Sequence, residues 1–269
     1  MKKVILNSDK MKKIGVLGCG WLGKQFVAKT HDKYKLSATN TTKVEGTFDN
    51  VDHFVVNLPE TWDQDFFDQI NELIISISPS AESFMKSIDL LISTIGKNDN
   101  IEKIILWSTI GVYGNRKGII DEDFTAKPER STAQKMLEAE NKLLEFFKDK
   151  LVILRLGGLV GVKRHPGHFF KENHPIKRSH DRINLVHAED VIAITEKVID
   201  GEIKASLINV VTPYHPQKKE FYHDAMKDVD RSTIQMDAKG ETRIVHSYVL
   251  EDMDYQFIHL NLSDWSCYK

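Results

Sequence analysis

The chain has 269 residues, 41% of them hydrophobic, which is enough for one substantial core, or for one core with a small lobe. Its 37 basic and 39 acidic residues leave a net charge of −2, so no global field draws it to nucleic acid or to an anionic membrane. No segment approaches the run of about twenty apolar residues that a membrane span needs, and two cysteines, Cys19 and Cys267, fit a reducing cytoplasm better than a disulfide framework.

Residues 1–10 precede a second Met-Lys-Lys, at positions 11–13, and are expected to form a loose extension that adds little to the core. Ile14-Gly15-Val16-Leu17 reads as the first strand and runs into Gly18-Cys19-Gly20-Trp21-Leu22-Gly23, a G-x-G-x-x-G at the front of a helical pattern over 22–30. The first glycine allows a tight turn, the second lets the backbone approach a pyrophosphate, and the third permits close helix packing. The helix N-terminus offers free N–H groups to the anion, and Trp21 and Leu22 either pack or present backbone N–H. A second strand over 35–39 ends in Asn40-Thr41-Thr42-Lys43, where an acidic residue would accept ribose hydroxyls. Asn40, Thr41 and Lys43 instead accommodate a 2′-phosphate, which favours NADP slightly over NAD; Lys43 reads equally well as a solvated loop charge.

A third strand over 53–58, a helix over 63–70 and a fourth strand over 72–77 lead to Ser78-Pro79-Ser80, at the sheet edge where an open α/β fold places its ligand. These residues either touch a cofactor ribose or supply, through Ser80, the cap of the next helix, over 83–95. A strand over 103–108, a strongly periodic helix over 132–148 and a strand over 151–156 complete a core at 11–160. Near-continuous apolar runs separated by helices are the pattern of buried parallel strands, so the fold class is α/β, a doubly wound Rossmann sheet. Residues 161–269 read as a smaller substrate-side lobe interleaved with the last sheet elements: a helix over 188–200, a strand over 207–211, a helix over 218–229, then short strands or loop at 243–249 and 257–260.

Ser108-Thr109-Ile110-Gly111-Val112-Tyr113-Gly114 follows the fifth strand directly and resembles the S-[ST]-x-x-V-Y-G segment of the extended short-chain dehydrogenase/reductases, the NAD-dependent epimerase/dehydratase family. Asp121-Glu122 resembles the acidic pair after V-Y-G, Leu154-Arg155-Leu156 with Gly161 resembles the L-R-x…x-G strand and loop, and Asn184 to Val191 resembles x-x-V-H-x-x-D-V. The resemblance implies that Thr109 hydrogen-bonds a substrate oxygen. It also implies a Y-x-x-x-K motif next, and this is missing. Aligning on the lysine puts Ser131 and Lys135 in its two slots; aligning on Glu138-Ala139-Glu140 puts Thr132 and Met136 there, and no tyrosine lies between Tyr113 and Tyr214. A phenol of pKa about 10 is brought toward neutrality by a neighbouring ammonium, whereas an aliphatic hydroxyl is far too weak an acid to take its place. The chain is therefore similar to the atypical, YeeZ-like group of that family. The family also implies a homodimer through the helices at 83–95 and 132–148.

Lys135, Glu122 and His165 are the candidates for the missing proton transfer, with an exposed loop carboxylate the plainer account of Glu122. Tyr113 reads as a packing residue beside the substrate. Between positions 163 and 182 the chain carries Lys163, Arg164, Lys171, Lys177, Arg178 and Arg182 against Glu172 and Asp181, a local basic site in which Arg164 would suit a diphosphate or another anionic, sugar-like substrate. The plainer account is a solvated loop. The histidines there, His165, His168, His174, His180 and His187, lack a helix-face spacing for a metal, and none is expected. His187 and Asp190 either shape the substrate side or form a buried hydrogen-bonded imidazole and an early-turn helix acid. Two functions remain open: an NAD(P)-dependent epimerase, dehydratase or reductase on a carbohydrate-like or nucleotide-linked substrate, and a non-catalytic NAD(P)-binding sensor or scaffold.

Overall fold

The computed structural model describes residues 11–43, 48, 50–96, 98–171, 175–232 and 234–269. The extension expected at 1–10 lies outside these, as do Glu172 and His174.

Seven strands form the central parallel sheet: β1 (Lys13–Leu17), β2 (Lys35–Asn40), β3 (Val51–Val55), β4 (Glu72–Ile75), β5 (Lys103–Thr109), β7 (Leu151–Leu156) and β10 (Leu207–Val210), in the order β10-β7-β5-β4-β1-β2-β3. From β3 to β7 this is the strand order of a dinucleotide-type Rossmann sheet, and its direction reverses between β1 and β4. Register there is set by Ile14 opposite both Leu36 and Glu72, and by Val16 opposite Ala38 and Ile74. Apart from Lys13, β1 and β4 are buried along their length, which is why both read as unbroken apolar runs.

The helices α1 (Trp21–Thr30), α2 (Gln64–Asp68), α3 (Phe84–Ile95), α4 (Ser131–Phe147), α5 (Ala188–Ile199) and α6 (Lys218–Asp228) lie close to their expected positions. Helix α3 buries Phe84, Ile88, Leu91, Ile92 and Ile95, an i, i+3/i+4 stripe, and its N-cap is Ser83. Ser80 is therefore not the cap; its own N–H is held by the Ser78 hydroxyl at 3.3 Å.

Some short elements differ from the sequence expectation. Gly118–Ile120 forms β6 and pairs in parallel with β11 (Arg243–Val245); Gly158–Val160 forms β8 and pairs with β9 (Leu185–His187). Three-residue strands whose partners lie tens of residues away leave no local periodicity to read. Tyr248 and Val249 open a helix, α7 (Tyr248–Asp252), where short strands or loop were expected, because the Ser247 hydroxyl accepts the Leu250 N–H at 3.2 Å and caps a helical turn. Residues 257–260 are loop, one of the two readings expected there.

The chain divides into two compact units, each threaded from several segments: Met1–Ser108, Arg130–Ile153 and Val198–Ser206 in the first, Thr109–Glu129, Leu154–Lys197 and Leu207–Lys269 in the second. The division passes through β7. In the second unit Phe221, Tyr222 and Met226 of α6 pack with Val160, Ile176, Leu262 and Tyr268 in a core of their own.

Candidate functional site

In the first unit, the ends of β1, β2 and β4 enclose a cavity of about 350 Å³, at the point where the strand order reverses. Gly18 has φ +87°, and a Cβ there would lie 3.1 Å from the Ser76 carbonyl oxygen, so the turn requires glycine. Its N–H donates to Thr39 Oγ1 at 2.9 Å, and Asn40 Nδ2 donates to the Cys19 carbonyl at 3.1 Å, so the end of β2 holds the glycine loop from two sides. Gly20 is the N-cap of α1, in extended backbone with no atom of the described residues within 4 Å of where a Cβ would stand. Gly23 is the tight contact: a Cβ would sit 3.2 Å from Val16 Cγ1. The turn at Gly18 and the packing at Gly23 are the steric parts expected of the first and third glycines.

Gly18, Gly20, Asn40, Thr41 and Ser78 line this cavity together with Leu17, Thr39, Val56, Asn57, Leu58, Ser76, Ile77, Ala81, Phe84 and Ser87. Trp21, Leu22, Gly23, Lys43, Pro79 and Ser80 are not in the lining; Leu22 and Gly23 are buried in the packing of α1, and Lys43 is exposed. Sequence reasoning missed Asn57, Ser76 and Ala81, which follow or flank strand ends; only the strand order shows that these ends adjoin the glycine loop. Among the described residues, none that lines the cavity is acidic. Burial pushes the Cys19 thiol up to about 11, so it stays protonated in the loop.

Lys135, on α4, donates from Nζ to the Ala81 carbonyl at 3.3 Å, which places its ammonium at the rim of the same cavity. Ser131 and Thr132, the two slots for the absent tyrosine, are exposed in the first turn of α4; Met136 is buried, and buried Glu140 accepts the Ser108 hydroxyl.

The remaining candidates lie in the second unit. Thr109 ends β5, half-buried, and its Oγ1 accepts the Gly111 N–H at 3.0 Å, capping the short helical turn at Ile110–Tyr113. Tyr113 is fully buried, with its hydroxyl donating to Asn209 Oδ1 at 2.9 Å and the Arg155 guanidinium over its ring at 4.8 Å. Its expected part in substrate binding is corrected to packing, since no face of the ring reaches solvent. Glu122 is also corrected. It is no exposed loop carboxylate but a buried one, accepting Asn209 N–H at 2.8 Å, the Ser247 hydroxyl and Tyr248 N–H at 3.2 Å. Three donors on a buried carboxylate make a brace between chain segments.

His165 is nearly buried, its Nδ1 accepting the Gly167 N–H at 3.0 Å and its Nε2 3.4 Å from Asp228 Oδ2. It packs against Trp265 and Tyr268, and burial holds its pKa below the ordinary histidine value. Arg164 is exposed, with Nε on the Leu159 carbonyl at 2.9 Å. Arg178 pairs with Asp181 at 2.9 Å, and Arg182 donates to the His215 carbonyl at 3.1 Å, so part of the basic stretch serves the fold of its own unit. His187 is a buried hydrogen-bonded imidazole: Nδ1 accepts the Glu189 N–H at 3.2 Å and Nε2 donates to the Cys267 carbonyl at 3.1 Å. Asp190 is buried as well, in the first turn of α5, and accepts the N–H groups of Ile258 and His259.

The strand order and the glycine-loop cavity define a protein with the Rossmann fold of NAD-dependent epimerases and dehydratases. No family model matches the chain. The protein YeeZ of Escherichia coli (strain K12) is 29% identical over 226 residues, which cover 79% of this chain and 82% of that protein. UDP-glucuronic acid 4-epimerase from Bacillus cereus, solved in complex with NAD, superposes with a TM-score of 0.76 at 16% identity, over 94% of this chain and 95% of that one. dTDP-glucose 4,6-dehydratase from Bacillus anthracis, also solved with NAD, gives a TM-score of 0.76 at 13% identity, over 95% and 96% of the two chains. The resemblance to the epimerase/dehydratase family and its YeeZ-like group is borne out by these neighbours. Among the described residues, no helix is long and apolar enough to cross a membrane.

Proposed function

We propose that the chain binds a nicotinamide dinucleotide in the cavity at the ends of β1, β2 and β4, and acts on a carbohydrate-like or nucleotide-linked substrate. The observation that carries the reading is the cradle itself: a turn that only glycine fits at Gly18, open space over Gly20, and the N-terminus of α1 beside them. When bound, the dinucleotide supplies hydride chemistry. Solved neighbours hold NAD. Among the described residues, the end of β2 and the stretch after it offer Asn40, Thr41 and Lys43 and no carboxylate, so a 2′-phosphate meets no repulsion from them and NADP(H) is expected to bind at least as tightly as NAD(H).

In this reading Lys135 holds the cofactor side from the cavity rim and Thr109 orients the substrate oxygen. Glu122 and His165 drop out of the proton transfer, since both are engaged within their own unit. Exposed Leu144 and Phe146 on α4 support a homodimer through α3 and α4, which sedimentation checks.

Calorimetric titration with NAD, NADH, NADP and NADPH tests the reading, with Gly20→Asp as the control. Aspartate is a good N-cap and has room at that position, so the variant keeps its thermal stability while its carboxylate repels a diphosphate. Micromolar binding that the variant loses is the expected result. No binding of any of the four, or equal binding by the variant, overturns the reading. The absent tyrosine favours a second one, a dinucleotide-binding sensor without turnover; hydride transfer with any sugar nucleotide, lost in Thr109→Val, rules that out.

A further inference from the structure

In the second unit, three potential metal ligands from distant parts of the sequence converge. A ring nitrogen of His187, at the end of β9, a ring nitrogen of His259 and the sulfur of Cys267, in the C-terminal turn Trp265–Tyr268, all lie within 4.8 Å of one another. The two imidazoles are 3.8 Å apart between ring centres. We propose that His187, His259 and Cys267 form a binding site for a borderline-soft divalent cation of the zinc class, which fastens the C-terminal segment to the start of α5.

The donor set is one histidine pair and one thiolate, which selects zinc-like ions over magnesium or calcium. Both imidazoles already carry the outer contact that metal-bound histidines have: His187 donates Nε2–H to the Cys267 carbonyl at 3.1 Å, and His259 turns Nε2 to Glu189 Oε2 at 2.8 Å. In each ring the lone pair is then on Nδ1, the nitrogen that would have to turn to the metal. Among the described residues no hydrogen bond reaches Nδ1 of His259, while that of His187 accepts the Glu189 N–H at 3.2 Å, a contact the metal would replace.

Tetrahedral bonds of about 2.0–2.3 Å separate ligand atoms by about 3.3–3.6 Å, so the site must contract by roughly an ångström, with a water in the fourth position. His259 lies in a turn and Cys267 in the short C-terminal 3-10 turn, both outside α-helix and sheet, where such a shift is easiest. Charge fits too: a thiolate and the Glu189 carboxylate together balance a divalent cation. Burial, with Asp264 and Glu189 nearby, holds the free thiol up at about 11. Binding at neutral pH therefore releases the thiol proton to solvent as the metal–sulfur bond forms.

The test is titration of the metal-free, full-length protein with cobalt(II) under reducing conditions, followed by displacement with zinc. One equivalent is expected to produce a thiolate-to-cobalt charge-transfer band and the visible bands of four-coordinate cobalt. Cys267→Ser loses the charge-transfer band, His259→Gln weakens binding by about tenfold or more, and zinc raises the melting temperature of the parent but not of Cys267→Ser. Cobalt bound without a charge-transfer band, as at a surface histidine, overturns the proposal. So does a band that survives in Cys267→Ser, which would place the metal on Cys19. The parent spectrum decides the matter even if a variant fails to fold.

Discussion

Glu122 is the residue whose sequence context misleads most. Asp121-Glu122 lies in a polar loop, yet Glu122 is buried and takes hydrogen bonds from the backbone of Asn209 and Tyr248 and the hydroxyl of Ser247. Asn209 in turn accepts the Tyr113 hydroxyl, so Tyr113 and Glu122 are both tied to one residue of β10, the first through its side-chain amide and the second through its backbone N–H. Removing the carboxylate in Glu122→Ala strands three donors; a loss of about 3–5 kcal/mol of unfolding free energy is expected, read from the urea midpoint. Tyr113→Phe keeps the ring and deletes one buried hydrogen bond, for a loss of about 1–2 kcal/mol in the same assay. If Glu122 were instead an exposed catalytic group, its replacement would change turnover and leave stability alone.

At the scale of elements, ends matter more than middles. The C-terminus of α5 is held by two lysines from strand starts: Lys103 Nζ donates to the Val198 carbonyl at 2.6 Å and to Ile199 at 3.2 Å, and Lys12 reaches the Ile199 carbonyl as well. Cations on the last carbonyls satisfy them and complement the helix dipole. Lys103→Met is expected to lower stability by about 1–2 kcal/mol, with hydrogen exchange rising first in the last turn of α5. The C-terminal segment is no appendage: Leu262 is fully buried against the α6 core, and the Tyr268 hydroxyl donates to the Leu262 carbonyl at 2.8 Å. Leu262→Ala is expected to cost about 2–5 kcal/mol by denaturant unfolding, a cavity penalty of the core and not the small effect of an exposed tail.

Over the whole molecule, buried titratable groups of opposite kind shape the response to pH. Burial holds His165 and His215 below the histidine value of 6.5, so below that pH the unfolded chain takes up protons first and stability falls. Burial also holds Glu72 and Asp190 above the ordinary carboxylate range, despite Lys12 at 3.0 Å from Glu72. Here the folded chain binds protons first on acidification, so their contribution to stability grows as pH falls and is lost as pH rises through the folded pKa. The two trends oppose each other between the carboxylate and histidine ranges. Glu72→Gln deletes one of the compensating terms, and its unfolding free energy is expected to drop more steeply than the parent's from pH 7 to pH 5.

What the sequence by itself determined is everything carried by short-range pattern: the apolar runs of β1, β4, β5 and β7, the periodic helices α3 and α4, and the glycine loop, whose first and third positions meet the steric constraint expected of them. These follow from periods of two and 3.6 residues and from backbone sterics, both local. The tertiary structure alone decided that Ser76 and Ala81 adjoin Gly18 and Lys135, that Glu122 is interior, that Gly118–Ile120 finds Arg243–Val245, and that His187 meets His259 and Cys267. Each of those joins residues whose separation along the chain holds no periodic signal. Such contacts are set by which surfaces pack once the strands are ordered, because burial is a property of the assembled layers and not of any segment within them.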